Sequence, residues 1–147
     1  VNLYFLDTSI IMYAVGKEHH YKESCVAIIE KIARQKLEVV TDSEVFQEIL
    51  YRYSHIGQKE KGISVARDML ILIGNVIPVK REDVKLALEI FADSKGIKSR
   101  DAIHAAIMLN NGFNEILSTD RHFEKIKGIK RKDPFQFEPR MNTNSHK

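Results

Sequence analysis

Apolar blocks separated by turn residues divide the chain into alternating strand-length and helix-length segments. Residues 2–6, NLYFL, form a short apolar run ending at Asp7, a length that suits a buried strand. Thr8 or Ser9 is placed to cap a short helix running to about Val15, with Gly16 as its stop. Residues 20–36 set Val26, Ile29, Ile32 and Ala33 between charges, the pattern of an amphipathic helix. LEVVT, at 37–41, reads as a second strand. Asp42 or Ser43 then caps a helix that carries Val45, Phe46, Ile49, Leu50 and Tyr53 on one face and ends at Gly57. A further helix runs from about Gln58 to Ile73, with Val65, Met69, Leu72 and Ile73 as its apolar stripe. NVIPV, at 75–79, is a third strand, and the missing amide donor of Pro78 assigns it to a sheet edge. Residues 81–95 form a helix with Val84, Leu88 and Phe91 expected on the core side. Ser99 is placed to cap the next, which runs to about Asn111. EILST, at 115–119, is a fourth strand ending beside Asp120. A short helix with Phe123 and Ile126 follows, and a weak fifth strand is expected near 129–131.

This alternation predicts an α/β fold: a parallel sheet of four to five strands with helices on both faces, in one domain over residues 1–137. The remainder, 138–147, is polar and aperiodic and is expected to be a mobile tail. The chain has 147 residues, 44% hydrophobic and 29% charged, which supports a single sizeable core and excludes a wholly disordered chain. No apolar stretch approaches a bilayer span. The opening VNLYFLDTSII lacks a basic n-region and reads as strand, not signal peptide. One cysteine, Cys25, forms no internal disulfide and no cysteine-rich zinc site; it is expected as a small core residue. Together these features point to the cytoplasm. A formal charge of +3 decides little, but Lys125, Lys127, Lys130, Arg131 and Lys132 fall in one short run. That run is either a solvated surface segment or a set of nucleic-acid phosphate contacts.

In open α/β sheets, sites form beyond the carboxyl ends of the strands, and four acids lie in the right places. Asp7 directly follows the first strand and Asp120 the fourth, Asp101 opens the helix beginning at Ser99, and Glu48 sits in the helix after the second strand. Like charges brought together disfavour ionisation unless a cation joins them. Oxygen-only ligands suit magnesium or manganese, which promote in-line attack of water on a phosphodiester. Each acid also has a plain structural reading. Asp7, Asp101 and Asp120 each stand where a helix cap or a favourable first-turn charge is wanted. Periodicity puts Glu48 on the flank of its helix, on the exposed side, with Glu44 one turn earlier able to share its role.

These segments resemble the PIN domain family, in its VapC-like group, over about residues 2–132. FLDTSIIMY is similar to the strand-one motif, SEVFQEIL to the helix that supplies a metal-ligating Glu, SRDAIHAA to an Asp opening a small-residue helix, and LSTDRHF to Thr-Asp followed closely by Phe. The second match selects Glu48 over Glu44. One departure is His122, where many relatives carry a further acid. The resemblance implies a three-layer PIN fold and an endoribonuclease leaving a 5′-phosphate and a 3′-hydroxyl. Its catalytic and metal-binding residues would be Asp7, Glu48, Asp101 and Asp120, with Mg²⁺ or Mn²⁺. It also implies a homodimer, and for many members a toxin held inactive by a small antitoxin protein. Others process RNA or are inactive RNA- or protein-binding scaffolds.

Ser9 and Thr119 are candidates to orient a metal-bound water or to cap, and Arg100 to bind a substrate phosphate or face solvent. His104 is expected as a packed, hydrogen-bonded histidine. Adjacent His19 and His20 point apart on a helix and make no metal pair. Tyr51 and Tyr53 are candidates for stacking on bases, with Tyr53 expected in the core. A phosphatase using Asp7 as nucleophile is disfavoured because Ser9 stands where that chemistry needs a second acid.

Overall fold

A computed structural model describes residues 3–137. Within them the strands are β1 (Leu3–Leu6), β2 (Glu38–Asp42), β3 (Val76–Ile77), β4 (Glu115–Leu117) and β5 (Lys130–Lys132). The helices are α1 (Thr8–Val15), α2 (Lys22–Ala33), α3 (Ser43–His55), α4 (Lys59–Leu72), α5 (Arg81–Asp93) and α6 (Ser99–Asn110). Single 3-10 turns cover Arg121–Lys125 and Pro134–Phe137. All five strands pair in parallel in the order β3-β2-β1-β4-β5. The parallel α/β sheet that the sequence predicts is present, with its fifth strand and with Pro78 following an edge strand. The expected tail, 138–147, lies outside the described residues.

Side chains alternate across the sheet, so each strand feeds two cores. Tyr4, Leu6, Val39 and Leu117 pack with Ile10, Ile11, Ile28, Val45, Ile49 and Met69 of α1–α4. Phe5, Val40 and Ile116 face the other way, onto Ala87, Ala102, Ala105, Ala106 and Ile107 of α5 and α6. Burial on both faces is why these strands read as continuous apolar runs. The alanines of α6 let its backbone approach the sheet closely, and Asp101 is thereby carried to the strand ends. Among the described residues no helix is long and apolar enough to cross a membrane.

Several local expectations are corrected. Val84, Leu88 and Phe91 of α5 are 42%, 65% and 49% exposed. The inward face is instead Asp83, Leu86, Ala87 and Ile90, because small Ala87 fits against α6 and Asp83 is satisfied by Lys80 N–H (2.8 Å) and Asn110 (2.8 Å). In α3, Leu50 is exposed and Glu48 takes the inner position beside Ile49. Thr8 and Ser9 are not caps: Asp7 holds the N-cap position and its carboxylate makes no capping bond. Ser99 likewise lies within α6, after Lys98. Asp42 does cap α3, accepting from Val45 N–H at 3.0 Å. Cys25 and Tyr53 are buried as expected.

The chain moves outward from β1 to β2 and β3, then returns to lay β4 and β5 on the other side. The reversal leaves a crevice beyond the carboxyl ends of β1 and β4.

Candidate active site

Asp7 enters this crevice because β1 ends there, its N–H bonded to the Leu117 carbonyl of β4 (3.0 Å). Its Oδ2 accepts from Ser118 Oγ (2.6 Å) and Ser9 Oγ (2.8 Å), while Oδ1 is uncommitted among the described residues. Ser118 Oγ in turn accepts from Asp120 N–H (3.0 Å), and Ser9 Oγ from Thr119 N–H (3.2 Å). Asp120 caps the following 3-10 turn through His122 N–H (2.9 Å) and also bonds the His122 ring (2.8 Å). Its expected capping role is therefore real, and the same carboxylate lines the crevice.

Glu48 is 3% exposed, against the solvent-facing place that periodicity suggested. Its Oε1 accepts from Thr8 Oγ1 (3.0 Å) and contacts His104 Nε2 (2.6 Å), and its Oε2 pairs with Arg100 Nε (3.2 Å). The other His104 nitrogen, Nδ1, lies 2.7 Å from Asp42 Oδ2. A fully buried imidazole held between two carboxylates is an imidazolium. Burial opposes its charge, but Asp42 and Glu48 outweigh that and hold its pKa well above the ordinary value. With both nitrogens committed as donors, His104 is a strut joining β2, α3 and α6 and not a ligand. A ligand atom of His104 nevertheless falls within 4.8 Å of ligand atoms of Asp7 and Asp101.

The electrostatics divide the acids. Burial tends to raise Glu48, but bonds from His104 and Thr8 and the charge of Arg100 bring its pKa below the usual range. Asp7 is raised, by burial above all, with the charge of Glu48 adding to it and His104 and Ser118 opposing. Asp101 is raised to about 7, by burial first and then by the charge of Asp7. Asp120 is lowered: bonds from His122 and from the Asp101 carboxyl overcome its burial. Burial and the charge of Asp7 thus favour the protonated form of Asp101, and the bonds from His122 favour the ionised form of Asp120. Among the described residues no lysine or arginine forms an ion pair with Asp7 or Asp101. The charge of His104, already committed to Asp42 and Glu48, does not bring either acid back to its usual range, and two such buried acids fit a hard divalent ion, which removes their repulsion.

A cavity of about 670 Å³ opens over these groups, lined by Asp7, Glu48, Asp101 and Asp120 and by Ser9 and Thr119. Arg100 also lines it. Glu44 does not, and lies beside Gln47 and Tyr51 in a separate depression. Of the basic run, Arg131 is 6% exposed in its side chain and is spent on Glu124 (2.8 Å), Asp133 (2.9 Å) and the Ser118 carbonyl (2.8 Å). Lys125, Lys127 and Lys130 are exposed, Lys132 partly so. His19 and His20 are not helical, and their ring centroids lie 4.1 Å apart with the planes tilted by 31°. Sequence reasoning singled out Ser9, which does touch Asp7, and Thr119, where the second hydroxyl on Asp7 is instead that of Ser118. The available signal was a polar residue between the apolar run of β4 and Asp120. Thr8 and Asp42 read only as caps and gave no sign of their bonds to Glu48 and His104.

The PIN domain model matches residues 4–129. The chain is 35% identical over 127 residues to the VapC ribonuclease Mb1869c of Mycobacterium bovis and to ribonuclease VapC13 of Mycobacterium tuberculosis, covering 86% of this chain and 96% of each relative. Ribonuclease VapC7 of Mycobacterium tuberculosis is 25% identical over 125 residues, or 84% and 86% of the two chains. Among solved structures, the fold is similar to a chain of DNA-bound VapBC from Salmonella typhimurium, with a TM-score of 0.71 at 17% identity, covering 90% of this chain and 99% of that one. It is equally similar to a chain of FitAcB from Neisseria gonorrhoeae, with a TM-score of 0.71 at 17% identity and coverage of 91% and 99%.

Proposed function

The chain belongs to the PIN domain family, and from that premise we propose that it is a metal-dependent endoribonuclease, the toxin of a toxin–antitoxin pair. The observation that carries this reading is the pair of buried, mutually repelling carboxylates, Asp7 and Asp101, which stay raised despite the nearby His104 and have no lysine or arginine paired with them among the described residues. Asp7, Asp101 and Asp120 are the groups to hold Mg²⁺ or Mn²⁺. When bound, the ion supplies Lewis-acid polarisation of a phosphodiester and lowers the pKa of water. Ser118 and Ser9 aim Asp7 by occupying Oδ2. Glu48 is fixed by Thr8, His104 and Arg100, so its carboxylate enters the reaction already oriented. Arg100 offsets the charge of Glu48 at the cavity wall, and Lys17 and Lys98 stand ready for substrate phosphates.

The partners under this reading are RNA, a small antitoxin protein and a second copy of the chain, and its place of action is the cytoplasm. Homology to VapC ribonucleases and likeness to chains of VapBC complexes support the antitoxin. The exposed stripe Val84, Leu88 and Phe91 on α5 supports the dimer.

The test is cleavage of cellular RNA with Mg²⁺ or Mn²⁺, with chelator, and with Asp101→Asn. Loss of a ligand costs more than the roughly 10- to 100-fold typical of residues that merely support one. Cleavage that persists in chelator, or that survives Asp101→Asn undiminished, refutes the reading.

A further inference from the structure

The cavity has a second region that the carboxylate chemistry does not use. From Asp7, α1 leads away through Met12 and Tyr13 to Gly16, and all of these line the cavity together with Lys17, His19 and Arg52. Tyr13 lies roughly 9 Å along the helix axis from Asp7. The Tyr13 and His19 rings are 4.5 Å apart and tilted by 33°, the exposed His20 ring lies 4.1 Å from His19, and behind them the rings continue to Tyr21 (5.4 Å from Tyr13) and Phe135 (4.7 Å from Tyr21). His19 and His20 are exposed.

A ring cluster on a loop often does no more than pack that loop down. Three features here exceed that need. First, His19 is pinned: its Nδ1 accepts from Tyr21 N–H (3.2 Å), so its face is held at one angle. Second, the loop is fastened at both ends. Lys22 Nζ donates to the Gly16 carbonyl, and Tyr21 Oη donates to Asp133 (3.1 Å), which Arg131 holds in turn. Third, the rings share their cavity with Lys17, Arg52 and Lys98, and among the described residues no ion pair engages these three. Fixed rings edged by unpaired cations and opening onto a phosphodiester-cutting centre match a nucleotide: π-face to ring, phosphate to cation.

We infer that Tyr13 and His19 form a stacking platform for a nucleobase of the RNA flanking the bond to be cut, which rests on the nuclease reading above. Arg131 and Asp133 are positioning residues for that platform, acting through Tyr21. Stacking is sequence-tolerant, because every base has a π-face, so the platform sets where the strand lies more than which base it accepts.

The experiment uses the full chain and a short fluorescein-labelled oligoribonucleotide of mixed sequence. Binding is read by anisotropy in Ca²⁺ and cleavage in Mg²⁺, for the native protein, His19→Ala, Tyr13→Ala and His19→Phe. Loss of one stacking partner weakens binding roughly 5- to 150-fold, and it raises KM more than it lowers kcat. His19→Phe keeps the ring and restores most of the affinity. An abasic ribose placed in turn at each position beside the mapped cleavage site weakens the native protein at one position. At that position the His19→Ala penalty disappears, which a merely packed loop does not produce. If the native protein cuts but neither alanine variant changes binding or KM, the platform is wrong and the nuclease stands. The converse, stacking-dependent binding without cutting, overturns the nuclease and keeps the platform as a binding site. A native protein that neither binds nor cuts overturns both.

Discussion

Exchange of Asp101 for Asn removes a charge that the metal-free fold holds against both burial and Asp7. The folded-state pKa is about 7 against the ordinary 3.8, so the folded chain keeps a proton that the unfolded chain has lost. Stability therefore falls as pH rises through that window, and above about 7 the full penalty is present. The interval corresponds to on the order of 4 kcal/mol. Burial of the Asn amide, a polar group with its own desolvation cost, returns about 1 kcal/mol of that. In chelator near pH 8, Asp101→Asn is expected to be more stable than the native protein by on the order of 3 kcal/mol, a rise in Tm of roughly 6–12 °C for a chain this long. The gap closes as pH is lowered toward about 4, where both states of the native chain hold the proton. Mg²⁺ acts in the opposite sense: it raises the native Tm and leaves the variant nearly unmoved, because the bound ion requires the ionised carboxylate. Thermal melts of the two proteins across pH, with and without Mg²⁺, give all four values. A variant no more stable than the native protein in chelator near pH 8, or equally stabilised by Mg²⁺, refutes the reasoning.

Other outcomes follow from the same geometry. Truncation of His104 to Ala strands Asp42 and Glu48 as buried carboxylates and is expected to cost roughly 3–5 kcal/mol in urea unfolding; a loss under about 1 kcal/mol counts against an imidazolium strut. Ser118→Ala removes a 2.6 Å bond that favours ionised Asp7, so half-maximal Mg²⁺ binding moves to higher pH while the fold persists; an unmoved pH profile argues that Ser118 is incidental. Arg131→Gln is expected to lower stability, since its guanidinium is enclosed by Glu124, Asp133 and a carbonyl. Lys127→Ala and Lys130→Ala are expected instead to flatten the salt dependence of RNA binding; indistinguishable salt slopes for native and lysine variants remove those lysines from the RNA contact. Leu88→Asp with Phe91→Asp is expected to give a monomer by light scattering, and an unchanged dimer mass removes α5 from the interface.

The sheet was legible in the sequence because doubly buried strands leave unmistakable short apolar runs, and Pro78 marked the edge. The acids at strand ends were legible because the crevice rule says where to look. Glu48 was not legible from periodicity. Its helix has more apolar residues than its inner face accommodates, and the preference for burying Leu50 was overridden by Thr8, His104 and Arg100, which lie at distant positions in the chain. The same limit hid α5: Val84, Leu88 and Phe91 form a clean stripe, yet the face that packs is the one where Ala87 allows close approach and Asp83 finds donors. Ser118 escaped notice because one hydroxyl in a run of Ser, Thr and Asp carries no sign of which side of the strand end it takes. Pairing of His19 with His20 was hidden by the assumption of a helix there.

The four carboxylates sit at positions 7, 48, 101 and 120, and the bonds that aim them span up to 111 residues of separation. Such a constellation is assembled late, after β4 has slotted in beside β1 and α6 has come to rest on the sheet. A ribosome still extending the chain short of Ser118 therefore carries a protein with no cutting centre at all. The centre can close only once β4 and the Ser-Thr-Asp turn that follows it have emerged, so the nascent chain stays silent through the making of β1, β2 and β3.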